Sequence, residues 1–592
     1  MKMIKQLAKS VREYKRPSLI TLFLMIGEAV IECAIPYITA TFLINYLSEA
    51  AQTGAQIEVW YVVRIGLILA LMAMCSLACG GFAGFTCAKA SSGFAKNLRH
   101  DLFHKVQSFT FTNIDHFSSS SLVTRLTTDV NNVQMAYMML IRIAIRCPLM
   151  LIFSVVMAAY MGGLLAVTFA VVIPVLGVGL FLIGKHAMPA FRRVFKKYDR
   201  LNESIEENVR GMRVVKGFAR EDYEKQKFGK EADSICEDFT KAEKIVALNT
   251  PLMNFCMYFN MAVILLLGSF MAINGIGGVN VGQMSALLNY GMAILMSLMM
   301  LSMIYVMLTM STESAKRICE VLNETPDMKE PANPVREVAD GSIDFDRVSF
   351  KYSAQAKKFA LEDIDLHIAS GMTVGILGGT GSSKSSLVQL IPRLYDATEG
   401  TVRVGGRDVR DYGIADLRDA VAMVLQKNLL FSGTIKENLR WGNPNATDAE
   451  LEEACRLAQA DEFVRSFPDG YDTKIEQGGT NVSGGQKQRL CIARTLLKHP
   501  KVLIFDDSTS AVDTATESGI RHALAELTDV TKLIIAQRIS SVQSADLIVI
   551  LEDGRLHAVG THAELLAKDT IYQEIYNSQM KGDGADGEGI RR

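Results

Sequence analysis

The sequence has no basic excess, because its formal net charge is −1 over 592 residues. Proteins that bind duplex nucleic acid usually carry a clear surplus of Lys and Arg, so we expect no nucleic-acid partner. There is also no CxxC pair among the ten cysteines, and half of them lie inside apolar runs. That setting indicates small buried side chains, not a disulfide framework or a zinc site. The five are Cys33, Cys75, Cys79, Cys147 and Cys256.

Charge is missing altogether from two long stretches, 147–184 and 245–312. A helix needs about 20 mostly apolar residues to cross a bilayer, so each stretch is long enough for two spans. The whole chain is 49% hydrophobic and 21% charged, which favours a membrane domain joined to a soluble one. We predict an α-helical bundle of six transmembrane helices that extends into the cytoplasm. The spans lie roughly at 17–46, 60–88, 136–160, 163–184, 247–273 and 283–309.

The segments between these spans differ in charge, and the difference predicts the orientation. Loops 47–59, 161–163 and 274–282 contain no Lys or Arg, whereas 89–125 and 185–244 are rich in them. Cytoplasmic loops carry the positive excess. We therefore predict a multi-pass protein of the cell membrane (inner or plasma) with both termini in the cytoplasm. No small-residue cleavage site follows the basic start, so we expect the first span to be retained.

Two pairs of charged residues interrupt the predicted spans. Glu28 and Glu32 lie one helical turn apart in the first span, and Arg142 and Arg146 are spaced alike near the start of the third. Charges inside a membrane usually face the bundle interior or water and suggest a function. We interpret the Arg pair as snorkelling to the cytoplasmic interface. For the Glu pair, a structural polar contact and a substrate role both remain open.

A polar segment with three prolines, 324–341, separates the two halves of the chain. Beyond it, predicted strands and helices alternate, as in an α/β nucleotide-binding fold. We predict a transmembrane domain at 1–315, a linker at 316–340 and an α/β ATP-binding domain with a phosphate loop at 341–578. The tail 579–592 is Gly-rich and charged, and we expect it to be disordered.

A loop rich in Gly and Ser, 378–386, directly follows the apolar stretch 372–377. Its backbone N–H groups can surround the phosphates of ATP. Lys384 is placed to reach the β- and γ-phosphates, and the Ser385 hydroxyl to bind Mg²⁺. The residue before the lysine is Ser383, where this motif usually has Gly. The predicted ATP contacts in the loop are Gly378, Thr380, Gly381, Ser382, Ser383, Lys384, Ser385 and Ser386.

Two further segments support an ATP site. The apolar strand 501–507 ends in acids, and Asp506 is placed to hold Mg²⁺ through water. The segment 481–489, NVSGGQKQR, closely resembles the signature of ABC transporters of the exporter type. This resemblance implies that its members contact ATP bound by the opposite subunit. They are Ser483, Gly484, Gly485 and Gln486.

The resemblance to ABC exporters covers nearly the whole chain and implies roles for further residues. Tyr352 would stack on adenine, Gln426 would be the Q-loop glutamine that joins the catalytic and Mg²⁺-binding groups, and Gln537 occupies the switch position. Asp513, at the end of segment 508–513, would lie at the dimer seam.

Two cytoplasmic segments of the membrane half also resemble parts of this family. Segments 114–130 and 207–222 are similar to the two intracellular loops of ABC exporters, in order along the chain. In that family, short coupling helices in these loops press on the ATP domains.

Three positions depart from the family's pattern. Asp507 stands where a Glu usually acts as general base, and its carboxylate is one methylene shorter, which compromises its reach to the attacking water. Gln537 stands where His is usual; it can donate a hydrogen bond but cannot become cationic, so it should stabilise the charge gathering on the attacked γ-phosphate less well. With Ser383, these changes fall in one composite site. The chain therefore resembles the degenerate-site subunit of a heterodimeric bacterial multidrug-type exporter, with Asp507, Gln537 and Gln426 as its catalytic group.

We expect a subunit of an ATP-driven exporter, with ATP and Mg²⁺ as cofactors and a second half-transporter that carries Glu and His as partner. Its substrate would be drug-like, a lipid or a peptide. Three alternatives remain open: a homodimeric exporter with slow hydrolysis, an importer with the exporter fold, and a sensor or channel that transports nothing.

Overall fold

The computed structural model describes residues 2–275, 279–353, 355–507 and 513–585. It contains two compact units. The first combines Met1–Ser108 with Ser118–Glu324, and the second combines Phe109–Phe117 with Thr325–Arg592.

The first unit is helical. Its helices are α1 (Lys2–Ala8), α2 (Lys15–Ile38), α3 (Asn45–Thr53), α4 (Val59–Gln107), α6 (Ser119–Thr124), α7 (Val130–Gly162), α8 (Val167–Arg210), α9 (Met212–Gly217), α10 (Glu221–Val246), α11 (Asn249–Ile273) and α12 (Val281–Asn323), while α5 (Phe111–Phe117) belongs to the second unit.

Several of these helices are both long enough and apolar enough to cross a membrane. Among the described residues, five continuous helical stretches qualify, and one of them spans residues 119–194. That stretch divides at Gly163, whose φ of +49° breaks the α-helical path between α7 and α8. Six apolar helices result, so the predicted fold class is confirmed for this half.

Several of these helices are much longer than a membrane is thick. Helix α4 has 49 residues, α8 has 44 and α12 has 43. At about 1.5 Å per residue, a helix of this length reaches roughly 65–75 Å, more than twice the ~30 Å hydrocarbon core. The charged parts of these helices therefore extend past the bilayer, as the sequence predicts.

Three of the charges within the predicted spans form one cluster. Arg146 Nη2 lies 2.8 and 2.7 Å from the two carboxylate oxygens of Glu32 and 3.5 Å from Glu28 Oε1. A Cβ at Gly80 of α4 would lie 3.2 Å from the Glu28 carboxylate, so this glycine leaves room for the cluster. The interpretation of Arg146 as a snorkelling side chain is wrong, because paired carboxylates on α2 hold it instead.

The second unit is built from strands and short helices. Its strands are β1 (Ile343–Phe350), β2 (Leu361–Ile368), β3 (Thr373–Gly378), β4 (Glu399–Val404), β5 (Arg407–Asp408), β6 (Val421–Val424), β7 (Gly433–Thr434), β8 (Lys474–Ile475), β9 (Val502–Asp506), β10 (Thr531–Ile535), β11 (Leu547–Glu552) and β12 (Arg555–Gly560). Its helices after α5 are α13 (Lys384–Leu390), α14 (Ile414–Ala420), α15 (Ile435–Leu439), α16 (Asp448–Leu457), α17 (Asp461–Ser466), α18 (Gly484–Leu496), α19 (Thr514–Ala525), α20 (His562–Lys568) and α21 (Thr570–Ala585).

The larger sheet has the strand order β12-β11-β3-β10-β9-β6, and all its pairings are parallel except that of β11 with β12. Strands β9 and β10 are buried at every residue, as expected for a parallel sheet covered on both faces. The α/β fold predicted for this half is confirmed. Since the strands are parallel, β3, β9 and β10 end at the same edge of the sheet, where ligands bind in such folds.

The segment 109–117 belongs to the second unit, although the sequence assigns it to the transmembrane domain. The reason is local packing. The Phe111 ring lies 5.9 Å from that of Tyr395, and the Tyr395 hydroxyl donates to Asp115 Oδ2 at 2.7 Å. This local packing places the segment with the second unit.

The C-terminal helix α21 continues to Ala585, so it includes the first residues of the tail predicted to be disordered from 579. The helix is anchored up to this point, because Tyr572 is buried, Ile575 and Tyr576 pack against the core of the second unit, and Gln579 bonds the backbone around Gln537. Residues 586–592 lie outside the described chain.

Candidate functional site

A pocket of about 560 Å³ opens where β3, β9 and β10 end. It brings together residues from four separate motifs of the sequence. The predicted site residues that line this pocket are Gly378, Thr380, Gly381, Ser383, Lys384, Ser385, Ser386, Gln426, Asp506, Asp507 and Gln537.

The phosphate loop connects β3 to α13 and requires glycine where the chain turns. A Cβ at Gly378 would lie 2.3 Å from the Leu551 carbonyl oxygen, and Gly381 has a φ of +87°. Lys384 Nζ donates to the carbonyl oxygens of Gly378 and Gly379 at 2.8 and 2.9 Å. Its side chain therefore folds back over the loop.

Ser383 adopts the left-handed conformation, with φ +69° and ψ +26°. This conformation costs an L-residue with a Cβ about 1–2 kcal/mol, and Gly adopts it freely. The departure from the motif at this position therefore stores strain in the loop. Ser382, next to it, is buried, and its Oγ accepts a hydrogen bond from Lys384 at 3.4 Å.

All three predicted Mg²⁺ ligands line the pocket, and two of them are bonded to each other. Ser385 Oγ donates to Asp506 Oδ1 at 2.8 Å. Burial raises the pKa of the Asp506 carboxyl, and the neighbouring charge of Asp507 raises that pKa further. Hydroxyl, carboxylate and the amide oxygen of Gln426 form an all-oxygen donor set, which fits Mg²⁺.

Lys384 supplies the positive charge of the pocket. Burial lowers the pKa of its ammonium group, while the charges of Asp507 and Asp506 oppose that shift. A cation between two carboxylates and a set of loop amides suits a phosphate chain that is accompanied by a divalent ion.

The two unusual catalytic positions are bonded to each other. Strands β9 and β10 pair in register, with Asp506 opposite Ile535, so the residues that follow them lie side by side. Gln537 Nε2 donates to Asp507 Oδ2 at 2.8 Å. Asp507 has a φ of +47°, a conformation that Asp tolerates better than most residues.

Tyr352 lies beside the loop, although it does not line the pocket. Its hydroxyl is 2.8 Å from Ser386 Oγ, and its ring meets that of Tyr395 edge-on at 5.2 Å. The residue is 45% exposed, which leaves area of the ring for a stacking base.

The signature segment lies at the start of α18. The Gln486 N–H donates to Ser483 Oγ at 3.3 Å and the Ser483 N–H donates to Gln486 Oε1 at 2.9 Å, which is a capping box. A Cβ at Gly484 would meet nothing within 4 Å, so this glycine leaves an open surface. None of the signature residues, Gly485 included, lines the pocket described above.

The predicted dimer-seam residue Asp513 caps α19, where its Oδ1 accepts from the Thr516 N–H at 3.0 Å. This hydrogen bond lowers the pKa of the Asp513 carboxyl. Residues 508–512, the rest of the predicted seam segment, lie outside the described chain.

Sequence reasoning missed two residues of α21 that reach this site. Ile575 lines the pocket, and Gln579 bonds the backbone around Gln537. Their local sequence gives no signal of this role, because both lie in α21, which contains none of the recognised motifs.

Comparison with known proteins agrees with this geometry. Residues 18–299 match the family described as ABC transporter transmembrane region, and residues 361–510 match the family described as ABC transporter. An uncharacterized ABC transporter ATP-binding protein of Bacillus subtilis, YfiB, is 36% identical over 567 residues, covering 96% of this chain and 97% of that protein. A putative multidrug export ATP-binding/permease protein of Staphylococcus aureus is 37% identical over 378 residues, or 63% of this chain and 65% of that protein. The solved structure of a bacterial Atm1-family ABC exporter with ATP bound has a similar fold, with a TM-score of 0.81, 23% identity, and coverage of 96% of this chain and 98% of that one.

Proposed function

Because this chain belongs to the ABC transporter family, with a transmembrane region joined to an ATP-binding domain, we propose that it is the degenerate-site half of a heterodimeric exporter. Its own pocket binds ATP and hydrolyses it poorly. Its signature completes the active site of a different half-transporter that carries Glu and His.

The observation that carries this proposal is the hydrogen bond between Gln537 and Asp507. A general base must reach the attacking water, but this carboxylate is short and its Oδ2 accepts from the switch amide. Gln537 cannot supply the positive charge that a protonated His would bring to the γ-phosphate. Both deficits favour a site that holds ATP without rapid turnover.

The other ATP-binding groups remain suited to nucleotide. Lys384 lies within the phosphate loop, and Ser385 and Asp506 form a hydrogen-bonded pair at the floor. Mg²⁺, when bound with ATP, would neutralise phosphate charge there. Ser385, Asp506 and Gln426 would hold it, while Tyr352 would stack on the base.

The signature supports a role in the opposite site. Ser483 is fixed by a capping box at the start of a 13-residue helix, where the first backbone N–H groups have no partner in the helical ladder. Preorganised donors of this kind stabilise charge that develops on a phosphate. Hydrolysis in the partner's site would therefore depend on this chain.

For the membrane half, we propose a multi-pass protein of the cell membrane with both termini in the cytoplasm. The absence of Lys and Arg from the loops between spans on one side supports this orientation. The transported substrate would be drug-like, a lipid or a peptide that leaves the cytoplasm.

ATP binding and hydrolysis by the purified full-length chain test this proposal together. We expect saturable ATP binding that Lys384→Ala weakens, with hydrolysis about 10²–10⁴-fold below that of a site with a well-placed base. Turnover by the isolated chain at the rate of ordinary exporters would contradict a degenerate site.

A further inference from the structure

The switch residue Gln537 stands on a short segment between β10 and a 3₁₀ turn at Ile539–Ser541. The strand before it is buried, and so is Ile539 after it, but Gln537 itself is exposed. The direction of its side chain therefore depends on what holds the backbone of this segment.

Gln579 on α21 holds that backbone at two points. Its Nε2 donates to the Gln537 carbonyl oxygen at 2.9 Å, and its Oε1 accepts from the Ile539 N–H at 2.8 Å. Both distances are those of good hydrogen bonds. The N–H groups at the start of a helical turn have no partner within the turn, so this amide also caps the 3₁₀ turn.

Helix α21 is itself anchored close to the nucleotide pocket. Tyr572 is buried and its hydroxyl lies 2.6 Å from His562 Nδ1, while Gln573 Nε2 donates to the Leu566 carbonyl oxygen at 2.7 Å. Ile575 lines the pocket, and Gln579 follows it by one helical turn, so both lie on one face. The helix therefore presents Gln579 to the switch from a fixed base.

We propose that Gln579 is a positioning residue of the ATP site. By bonding the backbone on both sides of Arg538, it keeps the Gln537 side chain directed at Asp507 and the pocket, so that the C-terminal helix sets the preference for ATP over ADP. The proposal rests on the proposed function, in which this pocket retains ATP.

The preference for ATP is the sensitive quantity because the switch position is assigned to the γ-phosphate, which ADP lacks. A switch segment released from Gln579 samples more conformations and meets the γ-phosphate less often. The phosphate loop and Tyr352 are untouched, so contacts with the base and the β-phosphate persist. ADP binding therefore acts as an internal control.

The test is the Kd for ATP and for ADP, both with Mg²⁺, measured on the full-length chain in lipid nanodiscs. We expect Gln579→Ala to raise the Kd for ATP about 3–10-fold, as loss of one or two modest hydrogen bonds allows, and to leave that for ADP unchanged. Gln579→Glu keeps the acceptor for Ile539 but loses the donor to Gln537, so it should behave like Gln579→Ala.

The matched control is Asn577→Ala, which removes an exposed amide side chain from the same helix and leaves the anchoring contacts of that helix in place. It should leave the ratio of the two Kd values unchanged. If Gln579→Ala binds ATP with the same ratio of the Kd for ATP to the Kd for ADP as the unmutated chain, this inference is refuted. The proposed function is then left intact. Failure of the unmutated chain to bind ATP refutes the retained-nucleotide proposal and this inference with it.

Discussion

Repair of the two unusual catalytic residues should convert this site into a hydrolysing one. The change is the pair Asp507→Glu and Gln537→His. At present Asp507 Oδ2 accepts from Gln537 Nε2 at 2.8 Å, and the two residues follow adjacent parallel strands. Glu adds one C–C bond, about 1.5 Å, toward the position of the attacking water, and His restores a group that can become cationic.

The expected gain in hydrolysis rate follows from the size of the catalytic effect that the present residues do not supply. General-base catalysis typically contributes about 10²–10⁴-fold. Other features work against part of this gain, because Ser383 strains the loop and Glu fits the left-handed φ of +47° at position 507 less well than Asp. We therefore expect ATP hydrolysis by the repaired chain alone to rise about 10–100-fold above that of the unmutated chain.

The assay is phosphate release at saturating MgATP by the full-length chain in nanodiscs, with Asp507→Asn as control. Since the proposed site lacks a working base, Asp507→Asn should change the rate of the unmutated chain little. The reasoning fails if Asp507→Asn, made in the complex with a partner half-transporter, abolishes hydrolysis as fully as removal of the partner's Glu does.

Two other changes address the loop and the signature. Ser383→Gly should relieve the left-handed strain and stabilise the ATP-binding unit by about 0.5–1 kcal/mol net of glycine's entropy. A higher urea concentration at the midpoint of the loss of ATP binding would show this stabilisation. The control is Ser382→Gly, which should lower that midpoint because Ser382 does not have a positive φ. Ser483→Ala should reduce ATP hydrolysis by the complex about 10²–10³-fold without loss of assembly. A Ser483→Ala complex that assembles normally and hydrolyses ATP at full rate would contradict the assignment of the signature to the partner's site.

The sequence could bring together most residues of the candidate pocket because they lie at the ends of strongly patterned strands. Asp506 ends a fully buried strand, and the loop around Lys384 follows β3, whose four central residues are buried, so parallel pairing brings them together. The long apolar helices follow in the same way from uncharged stretches. These features depend on local pattern, which a sequence displays directly.

Contacts made across long distances in the chain could not be predicted. Gln579 is 40 residues from Ile539, and Asp115 is 280 residues from Tyr395, and no local pattern pairs the two residues of either contact. Arg146 pairs with Glu32 over 114 residues, whereas its sequence position suggested only an interfacial arginine. A polar side chain whose hydrogen-bond partner lies far away in the sequence produces no recognisable pattern in the residues around it.

The identity of the nucleotide in this chain's pocket during turnover tests the central claim most directly. Photoreactive ATP labelled at either the α- or the γ-phosphate can be crosslinked in the complex while the partner site hydrolyses ATP. We expect this chain to retain both labels, and to lose both after Lys384→Ala, which removes the positive charge of the phosphate loop. An unmutated pocket that carries no label at millimolar ATP, or only the α-label, would contradict a site that holds ATP intact.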